Sequence, residues 1–280
     1  MKILTIDLEE WFHCDSNATD VEWHNYEVRI YKNTDRILET LNEHGQKATF
    51  FCLGWIARTY PDILRKIVSE GHEIGCHSDI HELLTKFDKK EFSRDTERAI
   101  KSIEDATGQK IIMYRAPVFS ITKQNKWAFE VLGKYGIEID SSIFPSRRAN
   151  GGFPEFGTDR PTIVSINGLR IKEFPMNTGS FLGRPYVFSG GGYFRFFPYW
   201  FLEWKISTGP YIMSYFHPRD FDDEQPVLDR LSLLQKMKSY YGLKGAFAKF
   251  NRVLADFRFY SMLEADRMYD WKNAAEISIQ

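Results

Sequence analysis

Several predicted strands of this 280-residue chain finish in side chains that can bind a metal or transfer a proton. Strand and helix patterns alternate through the first half, which predicts a parallel sheet with right-handed crossovers, as in α/β barrels. The carboxyl ends of such strands meet at one mouth, where barrel enzymes carry their active sites. The residues at these strand ends are Asp7, Glu9, His77, Arg115, Asp140 and His217. Their shared position predicts an enzyme.

The coarse pattern divides the chain at Pro145. Before it, predicted strands cover residues 3–6, 47–53, 73–76, 111–114 and 137–139, and predicted helices cover 34–43, 61–69, 89–106 and 123–134. After it, residues 162–174 predict a hairpin that turns at Asn167-Gly168, and residues 211–216 predict a last strand. We therefore predict one α/β domain over residues 1–280, an irregular (β/α)7-type barrel. Residues 146–210 form its aromatic loop and hairpin insertion, and residues 227–280 its C-terminal helical elaboration.

Composition narrows the possible partners and compartment. The 43% hydrophobic and 16% aromatic content supports a large core, and a net charge of −1 indicates no basic footprint for nucleic acid or an anionic membrane. Three cysteines without disulfide or zinc-finger spacing suit a reducing compartment. The sequence begins without a signal-peptide pattern and has no stretch of ~18 apolar residues. We expect a cytoplasmic protein without stable membrane insertion.

A histidine pair predicts a metal site. His77 and His81 are four residues apart, which places both imidazoles on one face of a helical turn. A nearby carboxylate would complete a two-histidine, one-carboxylate site with positions open for water and substrate. Asp7 and Glu9 point to the same side of an extended strand, so one can bind the metal while the other acts as a base. Glu10 is expected to be an exposed loop residue.

Three further residues are candidates for proton transfer and its support. Arg115 is expected to pair with Asp7 and orient it, although an ordinary surface salt bridge is the alternative. His217 follows a strand that the sequence predicts to be buried. Hydrogen-bonded to a carboxylate such as Asp140, it is a plausible general acid near neutral pH. The alternative for Asp140 is a turn or N-cap residue.

Aromatic side chains around the predicted mouth are candidates for stacking on a sugar ring. They are Trp11, Phe144 and Tyr193, and the alternative for each is a place in the core. The glycine run from Ser189 to Arg195 lacks the lysine and helix context of a phosphate loop, so we predict a tight turn that presents Tyr193 and Phe194.

In their order along the chain, these segments resemble the polysaccharide deacetylase family (carbohydrate esterase family 4, the NodB-homology domain). The first motif of that family, Thr-Phe-Asp-Asp-Gly, is similar to Thr5-Ile6-Asp7-Leu8-Glu9. Its metal motif, His-Ser/Thr-x-x-His, matches the segment from His77 to His81. The later motifs are similar to Arg115-Ala116-Pro117, Asp140-Ser141-Ser142 and His217.

The resemblance implies a role for each residue. Asp7 corresponds to the catalytic base, Arg115 to the arginine that orients it, and His217 to the general acid, with Asp140 in the motif that supports this histidine. The usual metal aspartate is replaced by Leu8, which cannot bind a metal. In a branch with the ligand two residues after the base, Glu9 takes that place. The implied ligands of a divalent metal, zinc first among the candidates, are Glu9, His77 and His81.

The activity implied is hydrolysis of the N-acetyl group of an amino sugar in a polysaccharide or glycan precursor. Three segments resemble a subgroup associated with exopolysaccharide and O-antigen assembly: the start from Asp7 to His13, the glycine run from Gly190 to Arg195, and His217-Pro218. This resemblance implies a bacterial cytoplasmic enzyme. Two alternatives stay open: a metal-dependent amidohydrolase acting on a small cyclic amide, similar to allantoinase, and a catalytically inactive glycan-binding module, which Leu8 favours.

Overall fold

The structure, a computed structural model, describes residues 1–14, 20–148, 150–181, 184–228 and 231–279. Parts of the predicted insertion and of the predicted C-terminal helical region, namely residues 149, 182–183, 229–230 and 280, lie outside these ranges, as do residues 15–19. Among the described residues, every helix is too short or too polar to cross a bilayer.

A nine-stranded sheet forms the centre of the molecule, which confirms the predicted α/β fold. The strands of the described residues, nine in this sheet and two in a separate pair, are β1 (Lys2–Leu8), β2 (Thr49–Cys52), β3 (Glu73–Cys76), β4 (Met113–Tyr114), β5 (Ile139–Asp140), β6 (Thr162–Ile166), β7 (Leu169–Glu173), β8 (Gly179–Phe181), β9 (Arg184–Tyr186), β10 (Ile212–Phe216) and β11 (Ala275–Ser278). Their order is β10-β1-β2-β3-β4-β5-β7-β6-β11, while β8 and β9 pair separately. All neighbours in the large sheet are parallel except β6 and β7.

The hydrogen-bonded order is open, with β10 and β11 as its two ends among the described residues. The contacts of Arg115, which follows β4, with Thr5 on β1 and Met213 on β10 show that the sheet nevertheless curls. A curled sheet of this kind brings distant strand ends into one mouth without a closed barrel.

Helices cover the sheet. They are α1 (Asp20–Trp23), α2 (Ile30–Glu43), α3 (Gly54–Thr59), α4 (Pro61–Ser69), α5 (Lys89–Thr107), α6 (Ala128–Lys134), α7 (Gly191–Phe196), α8 (Tyr199–Thr208), α9 (Leu233–Tyr240), α10 (Ala246–Asp256) and α11 (Met262–Met268). The longest, α5, begins at a capping box between Asp88 and Glu91 and ends at Gly108, whose φ is +69°. The predicted helix over residues 123–134 is instead a short 3₁₀ turn followed by α6.

The position of β1 decides where the site forms. Its residues from Ile3 to Leu8 are all buried, since β10 and β2 flank it and helices cover the sheet. Ile6 is in register with Phe216 of β10, so the residues that follow, Asp7 and His217, lie at the ends of neighbouring strands.

The C-terminal region is not wholly helical, which corrects one prediction. Helices α9 to α11 do lie between residues 233 and 268, but β11 follows and pairs in parallel with β6. The backbone N–H of Ile279 also donates to the backbone oxygen of Ser165, 2.9 Å away.

The predicted hairpin is confirmed: β6 and β7 turn at Asn167 and Gly168, with φ angles of +47° and +80°.

His72 should make the fold less stable in acid. Burial lowers the pKa of this imidazole to about 4, and its Nδ1 accepts from the Ala48 N–H at 3.2 Å. The unfolded chain binds that proton near pH 6.5, so between pH 6.5 and 4 the unfolded state holds more protons and stability falls as the pH falls. We expect the free energy of unfolding, measured by urea titration, to fall by about 2 kcal/mol more between pH 7 and 5 in the native chain than in His72→Asn. Equal losses in both proteins would contradict this assignment.

Candidate active site

Three side chains converge at the carboxyl ends of β1 and β3. Glu9 follows β1 directly, and His77 follows β3. Glu9 Oε1 lies 3.0 Å from His77 Nε2 and 3.0 Å from His81 Nε2. Burial would raise the pKa of the Glu9 carboxyl, but the imidazoles of His81 and His77 beside it hold that pKa well below its usual range. The predicted carboxylate and both predicted histidines therefore share one point in space.

The chemistry of this donor set fits a divalent cation. His77 Nδ1 lies 2.7 Å from the backbone oxygen of Arg115, which only accepts, so Nδ1 carries the proton. Nε2 is then the nitrogen that faces Glu9 and that is available to a cation. Glu9, His77 and His81 each offer one ligand atom within 4.8 Å of the others. Two imidazole nitrogens and a carboxylate oxygen are typical ligands of zinc and related ions.

The histidine pair does not lie on a helical turn, and that prediction is wrong. Residues 77–83 form a loop in which Ser78 and His81 have φ angles of +71° and +55°. The loop follows β3 and packs on α3, whose Gly54 and Trp55 N–H groups donate to the backbone oxygens of Ser78 and Asp79. Its shape therefore depends on a neighbouring helix, and left-handed residues rather than helical spacing aim both imidazoles at Glu9.

Small residues under this loop leave no room for change. A Cβ on Gly54 would stand 2.3 Å from Asp79 Oδ1 and 2.7 Å from the Ala99 backbone. Asp79 is itself buried and paired with Arg58, whose Nη1 lies 2.5 Å away. The close approach of α3 thus fixes the segment that carries His81.

Asp7 and Arg115 form the second part of the site, as predicted. Arg115 is fully buried, and its Nη1 donates to Asp7 Oδ1 and to Thr5 Oγ1, both at 2.7 Å. The guanidinium also lies over the Phe51 ring, 4.4 Å from its centroid. These contacts fix one oxygen of Asp7, while Oδ2 faces His217 Nε2 at 3.9 Å.

His217 is oriented by Asp220 and not by Asp140, which corrects the sequence-based assignment. Asp220 Oδ2 accepts from the His217 ring at Nδ1 and from the His217 backbone N–H, each at 2.9 Å. Burial alone would lower the pKa of His217, but the Asp220 carboxylate raises it to about 9. His217 therefore carries a proton at neutral pH, with Nε2 directed at Asp7.

Asp140 supports a different residue. Its carboxylate accepts from the Ser142 hydroxyl at 2.7 Å and from the Ser142 N–H at 2.9 Å. The turn so formed holds Arg115, because the Arg115 guanidinium donates to the backbone oxygen and hydroxyl of Ser141. Burial raises the pKa of Asp140, although the hydrogen bonds with Glu173 and Ser142 act in the opposite direction. Asp140 thus acts on the site through Arg115.

Arg195 extends the His217 pair toward the surface. Its Nη1 donates to Asp220, and the same guanidinium donates to the backbone oxygens of Lys238, Ser239 and Tyr241. The Arg195 charge and the His217 imidazole hold the pKa of Asp220 well below its usual range, against the effect of burial. Asp220 thus serves two cationic groups at once.

Asp220 and Arg195 were not predicted from the sequence. Asp220 has a local signal, since it follows His217 by three residues across Pro218 in a capping-box spacing. Arg195 has none, because it lies in the glycine run and reaches Asp220 only through the tertiary fold.

Glu10 is buried, contrary to the expected exposed loop position. Its carboxylate accepts from the N–H groups of Trp11, Arg29 and Ile30, and so caps the start of α2. Burial raises the pKa of Glu10 in spite of these hydrogen bonds. Adjacent carboxylates therefore differ in role: Glu9 faces the histidines and Glu10 holds a helix.

The three aromatic candidates are placed differently from one another. Trp11 is buried and donates from Nε1 to the Glu27 backbone oxygen, so it offers no stacking surface, and Phe144 is buried against Phe119. Tyr193 is exposed, but it lies on helix α7 and not in a tight turn. Phe194, the other residue expected there, is buried.

Solved structures share the fold. A candidate polysaccharide deacetylase from Mycobacterium smegmatis aligns with a TM-score of 0.66 at 20% identity, covering 100% of this chain and 94% of that one. The peptidoglycan deacetylase PdaC from Bacillus subtilis aligns with a TM-score of 0.50 at 13% identity, covering 95% and 90%. At these identities the similarity concerns the fold alone.

Known sequences match about a third of the chain. A peptidoglycan-N-acetylglucosamine deacetylase of Bacillus cereus is 36% identical over 98 residues, which are 35% of this chain and 36% of that protein. A chitooligosaccharide deacetylase of Rhizobium leguminosarum bv. trifolii is 31% identical over 101 residues, 36% of this chain and 44% of that protein. The matches thus span less than half of these relatives.

Two family models match adjacent parts of the chain. Residues 24–138 match the model of the polysaccharide deacetylase family, and residues 141–267 match a domain of unknown function, DUF3473. The candidate site takes residues from both matched ranges and from β1 before them. One sheet contains strands of all three parts.

Proposed function

We propose that this protein is a metal-dependent deacetylase that hydrolyses the N-acetyl group of an amino sugar in a polysaccharide or glycan precursor. The observation that carries the proposal is the convergence of Glu9, His77 and His81, with the Asp7–Arg115 pair beside them. Two bacterial relatives are named as deacetylases of peptidoglycan N-acetylglucosamine and of chitooligosaccharides. Their names support an N-acetylated sugar as the substrate.

Glu9, His77 and His81 are the residues that would hold the metal, with zinc as the proposed ion because two imidazoles and one carboxylate suit it. When bound, such an ion polarises an amide carbonyl and makes water more acidic. Leu8 stays buried in β1 and takes no part, so Glu9 replaces the carboxylate expected at position 8.

Asp7 is placed to take the proton from the attacking water. Arg115 fixes Asp7 Oδ1 at 2.7 Å, which leaves Oδ2 toward Glu9 and His217. A base held in one orientation at the metal cluster meets the geometric requirement of general base catalysis.

His217 is placed to return a proton to the departing amine. Its Nδ1 proton is engaged by Asp220, so Nε2 is the atom that faces Asp7 and the candidate metal cluster. A pKa of about 9 keeps Nε2 protonated at neutral pH, as a general acid requires. Base and acid thus lie on opposite sides of a short gap, 3.9 Å between Asp7 Oδ2 and His217 Nε2.

Acetate release from a panel of N-acetylated oligosaccharides and lipid-linked glycan precursors, with and without a chelator, tests the proposal. We expect release from at least one substrate, loss of release with chelator, and recovery when Zn²⁺ is restored. Ring opening of a cyclic ureide without acetate release would favour the amidohydrolase alternative. Glycan binding by a metal-free protein would favour an inactive module.

The natural substrate is proposed at a finer level from the sequence resemblance. A precursor in exopolysaccharide or O-antigen assembly fits the Asp7-x-Glu9 start and the His217-Pro218 end of the motif series. Lipid-linked precursors in the panel test this directly, since they should then be turned over faster than peptidoglycan fragments.

A further inference from the structure

Helix α9 directs its apolar side chains into solvent. None of its residues is buried, and Leu233 is 88% exposed. Leu234 and Met237 are also exposed, and they lie within one helical turn of Leu233 on the same stripe. An amphipathic helix normally turns such a stripe to the core. Here the stripe has no partner among the described residues.

The stripe continues onto two neighbouring helices. Tyr241, just after α9, contacts Phe196 of α7 with ring centroids 6.0 Å apart. On α8, Trp200 and Trp204 are exposed one turn apart. The Phe201 ring contacts both, and the Phe197 ring joins Phe201 to Phe196. We call this surface the aromatic face. Its exposed members are Phe196, Trp200, Trp204, Leu233, Leu234, Met237 and Tyr241.

Basic residues accompany the aromatic face. The sequence from residue 231 to 252 contains no aspartate or glutamate, and its basic residues are Lys236, Lys238, Lys244, Lys249 and Arg252. The whole chain has a net charge of −1, so charge is segregated within the molecule. Net charge alone, which indicated no affinity for an anionic membrane, conceals this local excess.

Among the described residues of α7 to α10, acidic groups occur in the tryptophan half of the face, where Glu203 and Asp256 line one depression with Trp200 and Trp204. Glu203 lies on α8, and Asp256 ends α10. Asp256 contacts Arg252 at 3.7 Å and the Tyr199 hydroxyl, so its charge is partly compensated. Around α9, at the opposite side, Lys238 and Lys244 are exposed.

We propose that the aromatic face docks the protein on an anionic lipid surface. Tryptophan and tyrosine favour the boundary between water and lipid, because their rings are apolar and carry one polar group. Helices that lie in this boundary combine leucine and aromatic side chains with lysine and arginine. Anionic headgroups attract each lysine near the surface, which supplements the burial of apolar side chains.

Charge argues against a second copy of the chain as the occupant. A twofold contact would place the same patch on both sides, and therefore bring the basic segment of residues 231–252 close to its equivalent. No carboxylate of that segment is available to compensate. Like charges brought together oppose association, whereas an anionic surface removes the conflict.

The aromatic face lies next to the candidate active site. Arg195 shares helix α7 with Phe196, and its guanidinium reaches inward to Asp220 and the His217 pair. Docking would therefore bring the site close to the membrane. The lipid contact does not depend on the proposed activity, since it concerns binding alone.

Flotation of the full chain with vesicles tests the inference. We expect co-flotation with vesicles of phosphatidylglycerol and phosphatidylcholine, weakened by added salt, and little with phosphatidylcholine alone. Leu233→Ser/Met237→Ser should lower the partition coefficient at least about tenfold, because two apolar side chains no longer enter the lipid. Lys238→Glu/Lys244→Glu should lower it by a similar factor.

Matched variants elsewhere give the controls. Met268→Ser changes a methionine that is 57% exposed, close to the 59% of Met237. Lys101→Glu/Lys110→Glu replaces two exposed lysines at α5 and just after it, and so makes the same change in net charge as Lys238→Glu/Lys244→Glu. Both controls should float like the native chain. Failure of the native chain to float, or equal loss in controls and test variants, overturns the proposal. So does a dimer in sedimentation that the Leu233→Ser/Met237→Ser variant dissociates.

Discussion

If the proposed function holds, Glu9→Gln is expected to abolish binding of a divalent ion and to lower acetate release on the order of a thousandfold or more. The side chain keeps its shape, but it loses the charge that faces His77 and His81 at 3.0 Å. Loss even of groups that support metal ligands costs roughly ten- to a hundredfold in affinity, and loss of a ligand itself costs more. Elemental analysis of the purified variant and its kcat are the measurements.

Glu10→Gln is the control for this substitution. Glu10 is the next residue and is equally buried, but its carboxylate accepts from the N–H groups at the start of α2. We expect this variant to keep a full complement of metal and to lose part of its thermal stability. A Glu9→Gln protein that retains stoichiometric metal and full turnover would show that Glu9 is not a ligand.

His217→Ala is expected to keep its metal and to lose roughly two to four orders of magnitude in turnover, the usual effect of removing a general acid. Asp220→Asn should cost about a hundredfold, because the ring stays but loses the partner that orients it. Asp220 also raises the pKa of His217, so the alkaline limb of the kcat profile should move to lower pH in Asp220→Asn. Steady-state kinetics across pH measure both effects.

Asp222→Asn is the control that distinguishes the role of Asp220 as the partner of His217 from a general effect of removing a carboxylate from the same loop. Asp222 lies two residues further on and pairs with Arg29, whose Nε is 2.6 Å away. We expect turnover of this variant to be close to native, with the native pH profile. Asp140→Asn should likewise leave that profile in place, because Asp140 contacts Ser142 and not His217. An unchanged profile in Asp220→Asn would exclude Asp220 as the partner of the acid.

The residues at the strand ends can be recognised in the amino-acid sequence, and for a physical reason. In a parallel sheet, the residues that follow each strand lie at the same edge. The strand pattern alone therefore places Asp7, His77, Arg115 and His217 together. Loop shape cannot be recognised in this way. The helical turn expected at His77 was wrong because α3 holds that segment through backbone hydrogen bonds distant in sequence.

The choice between carboxylates also depended on tertiary contacts. Asp140 and Asp220 are both compatible with a histidine partner in sequence, but the fold gives Asp140 to Ser142 and brings Arg195 to Asp220. Similarly, Glu9 and Glu10 are indistinguishable as neighbours in a motif. Only the turn after β1 directs one toward the histidines and the other toward α2.

By itself, the sequence determined the α/β class, the edge of the sheet where the site forms, and the identity of its metal and proton-transfer candidates. These follow from local hydrophobic pattern and from strand register, which are properties of short segments. Tertiary structure decided which carboxylate serves His217, how the histidine loop is held, and which side of α9 faces solvent. Those outcomes depend on contacts between residues far apart in the chain, and no local pattern records such contacts.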